Sequence, residues 1–279
     1  MQIDEEKALK QLVDHGIRIP PQPKVLIELD ELLASGDYDV RALSPIIARD
    51  PGITSMLFKA ARSPVFGRGK NLMSLDKVLM VIGVQQTVNL VRAVALTTGI
   101  ADHTRQAFES FWTRSQEVAQ LAALIAADRV SVCNVFPDQA YLAGIFHECG
   151  VPLLMQRFPD YCRAMHLEKS CCGPDLAEED ARFNVDHGVV GYLVARHWKL
   201  PDFICSAIRH HHELPPDEAG AVITLVAILQ LAIHFYHALV NTSDPSWSWL
   251  SEPVMAELGL SFEADKDYFD VIVERFHGN

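Results

Sequence analysis

Two adjacent polar residues close an apolar run. In Tyr141-Leu-Ala-Gly-Ile-Phe-His147-Glu148-Cys-Gly150, a helical stretch ends on an imidazole and a carboxylate just before a glycine. Burying such groups where Leu or Ala would pack is costly unless they are paired or used. Farther along, His187 stands in Val-Asp-His-Gly-Val-Val-Gly, and His210, His211 and His212 precede Glu213. Imidazole nitrogens and carboxylate oxygens are the donors that Zn, Mn and Fe sites draw on. If His147, Glu148, His187, His211 and His212 converge, they make a metal centre. The competing reading of His210 to His212 is a helix C-terminus, whose carbonyls favour positive charge by about 0.3–1 kcal/mol. Any single histidine is also readily satisfied by local hydrogen bonds.

The elements that must position these residues are helical. Apolar residues recur at helical spacing over Lys24–Leu33, Val40–Arg49, Gly52–Arg62, Ser74–Ile82 and Gln85–Thr98, and again over 108–129, 139–148 and 151–158. Asp50-Pro51 is suited to start the third of these, with Asp50 as N-cap and Pro51 at the first position. Later helices are expected through Val189, Val190, Leu193 and Val194 to an end at Trp198, from Phe203 to His212, over 219–240, before Gly259, and over about 262–275, with a short charged helix at 4–14. Residues 168–180 read as loop and acidic cap. Arg114, flanked by Phe111 and Trp112, is placed to point inward, and the Ala-rich run behind it lets another helix approach closely. No segment alternates with a period of two, so the expected fold is all-α.

Composition bounds the function. With 49% hydrophobic and 22% charged residues over 279 positions, the chain is an ordinary globular one. Residues 1–110 carry 13 acidic and 13 basic side chains, whereas residues 111–279 carry 23 and 11. The acidic half is a poor nucleic-acid binder, because phosphate contact needs a basic face. Lys59, Arg62, Arg68 and Lys70 form a local basic patch that could meet an anion or be a solvated loop. The six cysteines include no Cys-x-x-Cys, and the opening Met-Gln-Ile-Asp-Glu-Glu is too acidic for a signal peptide, so reduced thiols in a cytoplasm are expected. The vicinal Cys171-Cys172 pair supplies only two of the four ligands of a structural zinc site. Ala219 to Val240 is uncharged and long enough to span a bilayer, but its polar residues and missing basic flank point to a core helix.

Several landmarks, in order, resemble the HDOD domain, the output branch of the HD phosphohydrolase superfamily. They are Ile19-Pro20 with Pro23, Ala48-Arg-Asp50-Pro51-Gly-Ile-Thr54, Ser63-Pro-Val-Phe66-Gly67, Ser74-Leu75 with Ile82-Gly83, Ala143-Gly144-Ile-Phe-His147-Glu148-Cys-Gly150, His187-Gly-Val-Val-Gly191, Trp198-Lys-Leu-Pro201 and His211-His212. The resemblance covers about residues 18–240 and implies a multi-helix bundle, an HDOD domain with its lobe at 18–107 packed on an HD-like core at 108–240; an N-terminal helix over 1–17 and a C-terminal helical extension over 241–279 are expected to flank it.

The superfamily holds a divalent metal with a His, a His-Asp doublet and a later Asp. By resemblance His147 matches the doublet's His, Glu148 stands where Asp is usual, Arg114 stands where the first His belongs, and Ile233 or a neighbour takes the place of the last Asp. His187, His211 and His212 match positions that bind a second metal in binuclear relatives. A guanidinium keeps its proton, so Arg114 cannot ligate a cation; facing Glu148, it would replace the metal as the positive centre. The favoured expectation is therefore a non-catalytic bacterial signalling or interaction module in the cytoplasm, without cofactor or membrane, binding a partner protein or a small anionic or nucleotide ligand. The alternative is a metal-dependent phosphohydrolase acting on a phosphoester or cyclic nucleotide. It would use His147 and Glu148 for catalysis, with Mn, Fe, Ni or Zn on His147, Glu148, His187, His211 and His212.

Overall fold

Asp39, Asp50 and Ser74 each turn a side-chain oxygen back to a backbone N–H three residues on, and each opens a helix. Such caps satisfy donors that the first helical turn cannot pair internally. The computed structural model describes residues 12, 16–19, 24–36, 38–62, 74–95, 105–167, 173–215, 220–261 and 265–278. The helix expected at 4–14, apart from Leu12, lies outside them, as do Arg68 and Lys70 of the basic patch and Cys171-Cys172. Among the described residues there is no strand, and the fold is all-α.

The chain divides into two units, 20–98 with 274–279, and 1–19 with 99–273. The smaller unit holds α1 (Lys24–Ala34), α2 (Val40–Ile47), α3 (Pro51–Ala61), α4 (Leu75–Ile82) and α5 (Val84–Ala95). Its core is the apolar stripe of each helix: Leu26 and Leu29, Leu43 and Ile47, Leu57 and Ala61, Val78 and Leu79, Val88 and Val91. Arg92 of α5 reaches Asp30 of α1 at 2.9 Å. Lys59 and Arg62 flank a shallow depression with Ser55 and Phe58.

The larger unit is built on α6 (Arg105–Cys133), which packs against α7 (Pro137–Phe146) and α13 (Ala221–Leu239). A Cβ on Gly144 would stand 2.5 Å from the Ala119 Cα, so α6 and α7 meet backbone to backbone. That is the close approach expected of the Ala-rich run. Around this trio lie α8 (Val151–Arg157), α9 (Tyr161–Ala164), α10 (Leu176–Phe183), α11 (His187–His197), α12 (Asp202–Arg209) and α14 (Trp247–Glu257). α15 (Asp265–Phe276) follows. The α13 run is the one described helix long and apolar enough to cross a membrane, and 67% of it is buried inside the protein, so it serves as a core helix.

Two differences from the sequence reading matter for the site. α7 stops at Phe146, so His147 and Glu148 sit in the turn before α8 rather than within the helix. The acidic stretch read as loop forms α10, because Asp175 caps it by accepting from the Glu178 N–H.

Candidate functional site

Three imidazoles meet at one point. His187 opens α11, where Asp186 caps the helix by accepting from Val189 N–H; His211 and His212 lie in the turn after α12. The His187 Nε2 is 3.2 Å from the His211 Nε2 and 3.0 Å from the His212 Nε2, and the three ligand atoms lie within 4.8 Å of one another.

Their orientation follows from what stands behind them. The His187 Nδ1 is 2.6 Å from the Glu179 Oε2 and the His211 Nδ1 is 2.7 Å from the Ile208 carbonyl oxygen. Those oxygens are acceptors, so each Nδ1 carries its proton and each Nε2 presents a lone pair to the other. Lone pairs this close repel unless a cation lies between them. A proton on the His187 Nε2 would serve, and so would a metal. Nitrogens about 2.1 Å from a common ion lie roughly 3.0–3.4 Å apart, which matches the two separations seen.

Glu179 is the residue that sequence reasoning missed. It is fully buried on α10 and accepts from the His187 Nδ1–H, the His187 backbone N–H at 2.9 Å, and the Tyr161 hydroxyl. A carboxylate behind a ligating imidazole is a recurrent outer shell of metal sites, fixing ring orientation and raising basicity. The available signal was Asp175 three residues before Glu178, a helix-start pattern that makes α10 a helix and turns Glu179 inward.

The second cluster lies beside the first. Arg114 is 5% exposed and Glu148 is 3% exposed. The Arg114 Nε and Nη2 approach the Glu148 Oε2 at 3.0 and 2.5 Å. Both donors converge on one oxygen rather than pairing with two, because Oε1 is turned toward Gly173, where a Cβ would stand 2.2 Å from it. His147, 2% exposed, sets its Nδ1 2.6 Å from the Gly144 carbonyl, leaving Nε2 as an acceptor 3.9 Å from the Glu148 Oε2. Its ring meets His211 edge-on at 5.1 Å. The guanidinium thus supplies the positive charge that faces Glu148.

Electrostatics separate the members. Burial acts to raise the Glu148 pKa, but Arg114, His147 and His187 outweigh it and hold the carboxyl at about 2. Burial lowers His147 below its ordinary value, drives His211 well below it, and with the charge of His187 brings His212 to about 3. Burial would lower His187 too, yet Glu179 more than offsets it, so His187 is raised. Neutral imidazoles are the form that ligates a metal.

Arg114, His147, Glu148, His211 and His212 line a cavity of about 400 Å³. Ile233 lies in its wall, and His237, one helical turn on, lines it as well. The His237 Nδ1 is 2.9 Å from the Thr242 hydroxyl oxygen. Ser243 to Ser246 and Trp249 complete the wall. His210 is set apart from the triad, half-buried, with its Nδ1 3.4 Å from Glu213.

The chain belongs to the HDOD domain family, which matches residues 19–214. An uncharacterized protein of Treponema pallidum (strain Nichols) is 22% identical over 238 residues, 84% of this chain, and the chain spans about half of that relative's length, 46%. Among solved structures, a candidate phosphohydrolase from Shewanella amazonensis SB2B superposes with a TM-score of 0.68 at 21% identity, covering 97% of this chain and 96% of the other. A candidate signal transduction protein from Marinobacter aquaeolei VT8 gives 0.64 at 20% identity, covering 98% and 64%. At these identities the likeness carries the fold alone.

Proposed function

We propose that this chain is a bacterial cytoplasmic signalling module whose pocket binds a small phosphate-bearing anion through one divalent metal ion held by His187, His211 and His212. The observation that carries the reading is the convergence of three imidazoles, with the His187 ring backed by the Glu179 carboxylate. Three imidazole nitrogen donors suit Zn, Mn, Fe or Ni, so the donor set favours a metal over the cofactor-free expectation. Such an ion, when bound, supplies a Lewis-acidic point for a phosphoryl oxygen.

The rest of the work falls to the chain's own residues. Glu179 orients His187, and the Ile208 carbonyl orients His211. Arg114 contributes a fixed positive charge where relatives with a His-Asp doublet would hold a first metal, and Glu148 keeps that guanidinium in register. With Arg114 in that place and an apolar residue at 233, ordinary two-metal hydrolysis lacks its parts, which supports a binding role. The Marinobacter neighbour's description is in keeping with a signalling context.

The test is a calorimetric titration of inorganic phosphate into Mn-loaded protein. Saturable binding that disappears in His211→Ala is expected, and indifference of the metal-loaded chain to phosphate would refute the reading. A second reading, metal-dependent phosphohydrolase, is favoured by the His147 Nε2, an acceptor close to His211 that could take a proton from an attacking water. Under that reading, metal-stimulated cleavage of bis-p-nitrophenyl phosphate would be lost in His147→Ala.

A further inference from the structure

The cavity is larger than its charged end requires. At about 400 Å³ it falls in the range of clefts that enclose small organic ligands, about 300–1,000 Å³, and a phosphate group alone fills a minor part of it. Much of its remaining wall lies beyond the residues the family match covers, in the C-terminal arc from Ser243 to Trp249. That arc is fastened to the bundle. His234 stacks on Trp247 with ring centres 4.1 Å apart and planes 11° from parallel, and its Nδ1 is 3.3 Å from the Asp244 Oδ2. At the far end of α14, Arg129 donates to the carbonyls of Leu258 and Gly259 at 3.1 Å each, and Thr224 donates to Glu257.

Two side chains on this arc face the cavity. Trp249 lines the cavity yet is 62% exposed, so its indole is held at the mouth rather than in the core. Asp244 also lines it, with a side chain 8% exposed; its Oδ2 faces the His234 Nδ1 and its Oδ1 accepts from the Ser246 N–H, so a ligand donor would share an oxygen with one of these partners through a second lone pair. An indole face offers stacking to a flat ring. A carboxylate nearby accepts from ring N–H groups and repels a second anionic group.

We infer that the arc is a base-reading subsite: the pocket takes a nucleoside monophosphate, with its phosphate at the histidine and arginine end, its base stacked on Trp249, and base N–H groups donating to Asp244. This rests on the anion-binding reading above and adds the ligand's class to it. Adenine meets both requirements, as a flat ring with an exocyclic amino group.

The experiment compares inorganic phosphate, ribose 5-phosphate and adenosine 5′-monophosphate on the Mn-loaded full chain by calorimetry, in the wild type, Trp249→Ala and Asp244→Asn. The exposed position of Trp249 makes its removal compatible with folding. Adenosine 5′-monophosphate is expected to bind about tenfold or more tighter than ribose 5-phosphate, on the scale of base stacking. Trp249→Ala should erase that gap while leaving ribose 5-phosphate unchanged, and Asp244→Asn should narrow it. Equal affinity for the two sugars' phosphates, or a gap that survives Trp249→Ala, overturns the subsite while leaving phosphate binding intact. Failure of all three ligands to bind overturns both the anion reading and the subsite.

Discussion

Glu179 and His187 are joined twice, the carboxylate oxygen Oε2 taking the ring Nδ1–H at 2.6 Å and the backbone N–H at 2.9 Å. The ring is thereby locked with its Nε2 toward His211 and His212. Removing the charge while keeping the shape should therefore act on metal affinity first. Glu179→Gln is expected to weaken Zn or Mn binding by about 10- to 100-fold, measured by calorimetry, with Tyr161→Phe producing a smaller loss. Metal affinity unchanged in Glu179→Gln would mean the triad does not depend on its outer shell.

Arg114 and Glu148 form a buried pair in which each residue is the other's compensation. Arg114→Ala leaves a buried carboxylate uncompensated and is expected to cost about 3–5 kcal/mol of stability, read from chemical denaturation. Arg114→His is more informative, because it would place an imidazole beside His147 and Glu148. That variant should bind a second metal equivalent per chain. Unaltered stability together with unaltered metal stoichiometry would argue that the guanidinium does not occupy a cation's place.

The same pair sets an acid limit. The Glu148 carboxyl is held at about 2 in the folded chain against an ordinary value of 4.5. As pH falls, the unfolded chain therefore binds this proton first. The stability that Glu148 contributes is complete above about pH 5 and is lost between there and about pH 2. Denaturation midpoints across that window should fall in the wild type, and Glu148→Gln, less stable at neutral pH, should show a shallower fall.

Metal binding should carry its own pH dependence. His187 is raised above its ordinary 6.5 by Glu179, whereas His211 and His212 are lowered. A metal must displace the His187 proton but none from the other two near neutrality. Affinity should rise as pH rises through the folded-state pKa of His187, which lies above 6.5, with proton release visible as a buffer-dependent heat below that pKa. A flat profile from pH 6 to 8 would indicate that His187 is not a ligand.

Much of this arrangement was legible in the chain, and the parts that were not share a cause. The stripe Leu26, Leu29 of α1, the Asp50-Pro51 start of α3 and the uncharged run of α13 are local signals, and the helices stand where they indicate. His147, Glu148, His187, His211 and His212 were singled out as polar residues in apolar settings, and their three-dimensional grouping places Arg114, His147 and Glu148 beside a separate three-histidine cluster. The resemblance already divided these residues in that way; the ring orientations set by the Ile208 carbonyl and Glu179 are what no spacing encodes. Glu179 itself was hidden in an acidic stretch that resembles a solvated loop until Asp175 is recognised as its cap. The Ser243–Trp249 arc reaches the cavity through tertiary packing against α13, so its sequence carried no mark of the site.

The most direct test of the central claim is metal stoichiometry by plasma mass spectrometry on tag-free protein incubated with Mn, Fe, Ni and Zn, compared with His211→Ala, His212→Ala and His147→Ala. A triad-held ion predicts one equivalent in the wild type, its loss in His211→Ala and His212→Ala, and its retention in His147→Ala. A wild-type chain that takes up none of the four ions, or one whose ion departs only with His147→Ala, would contradict it.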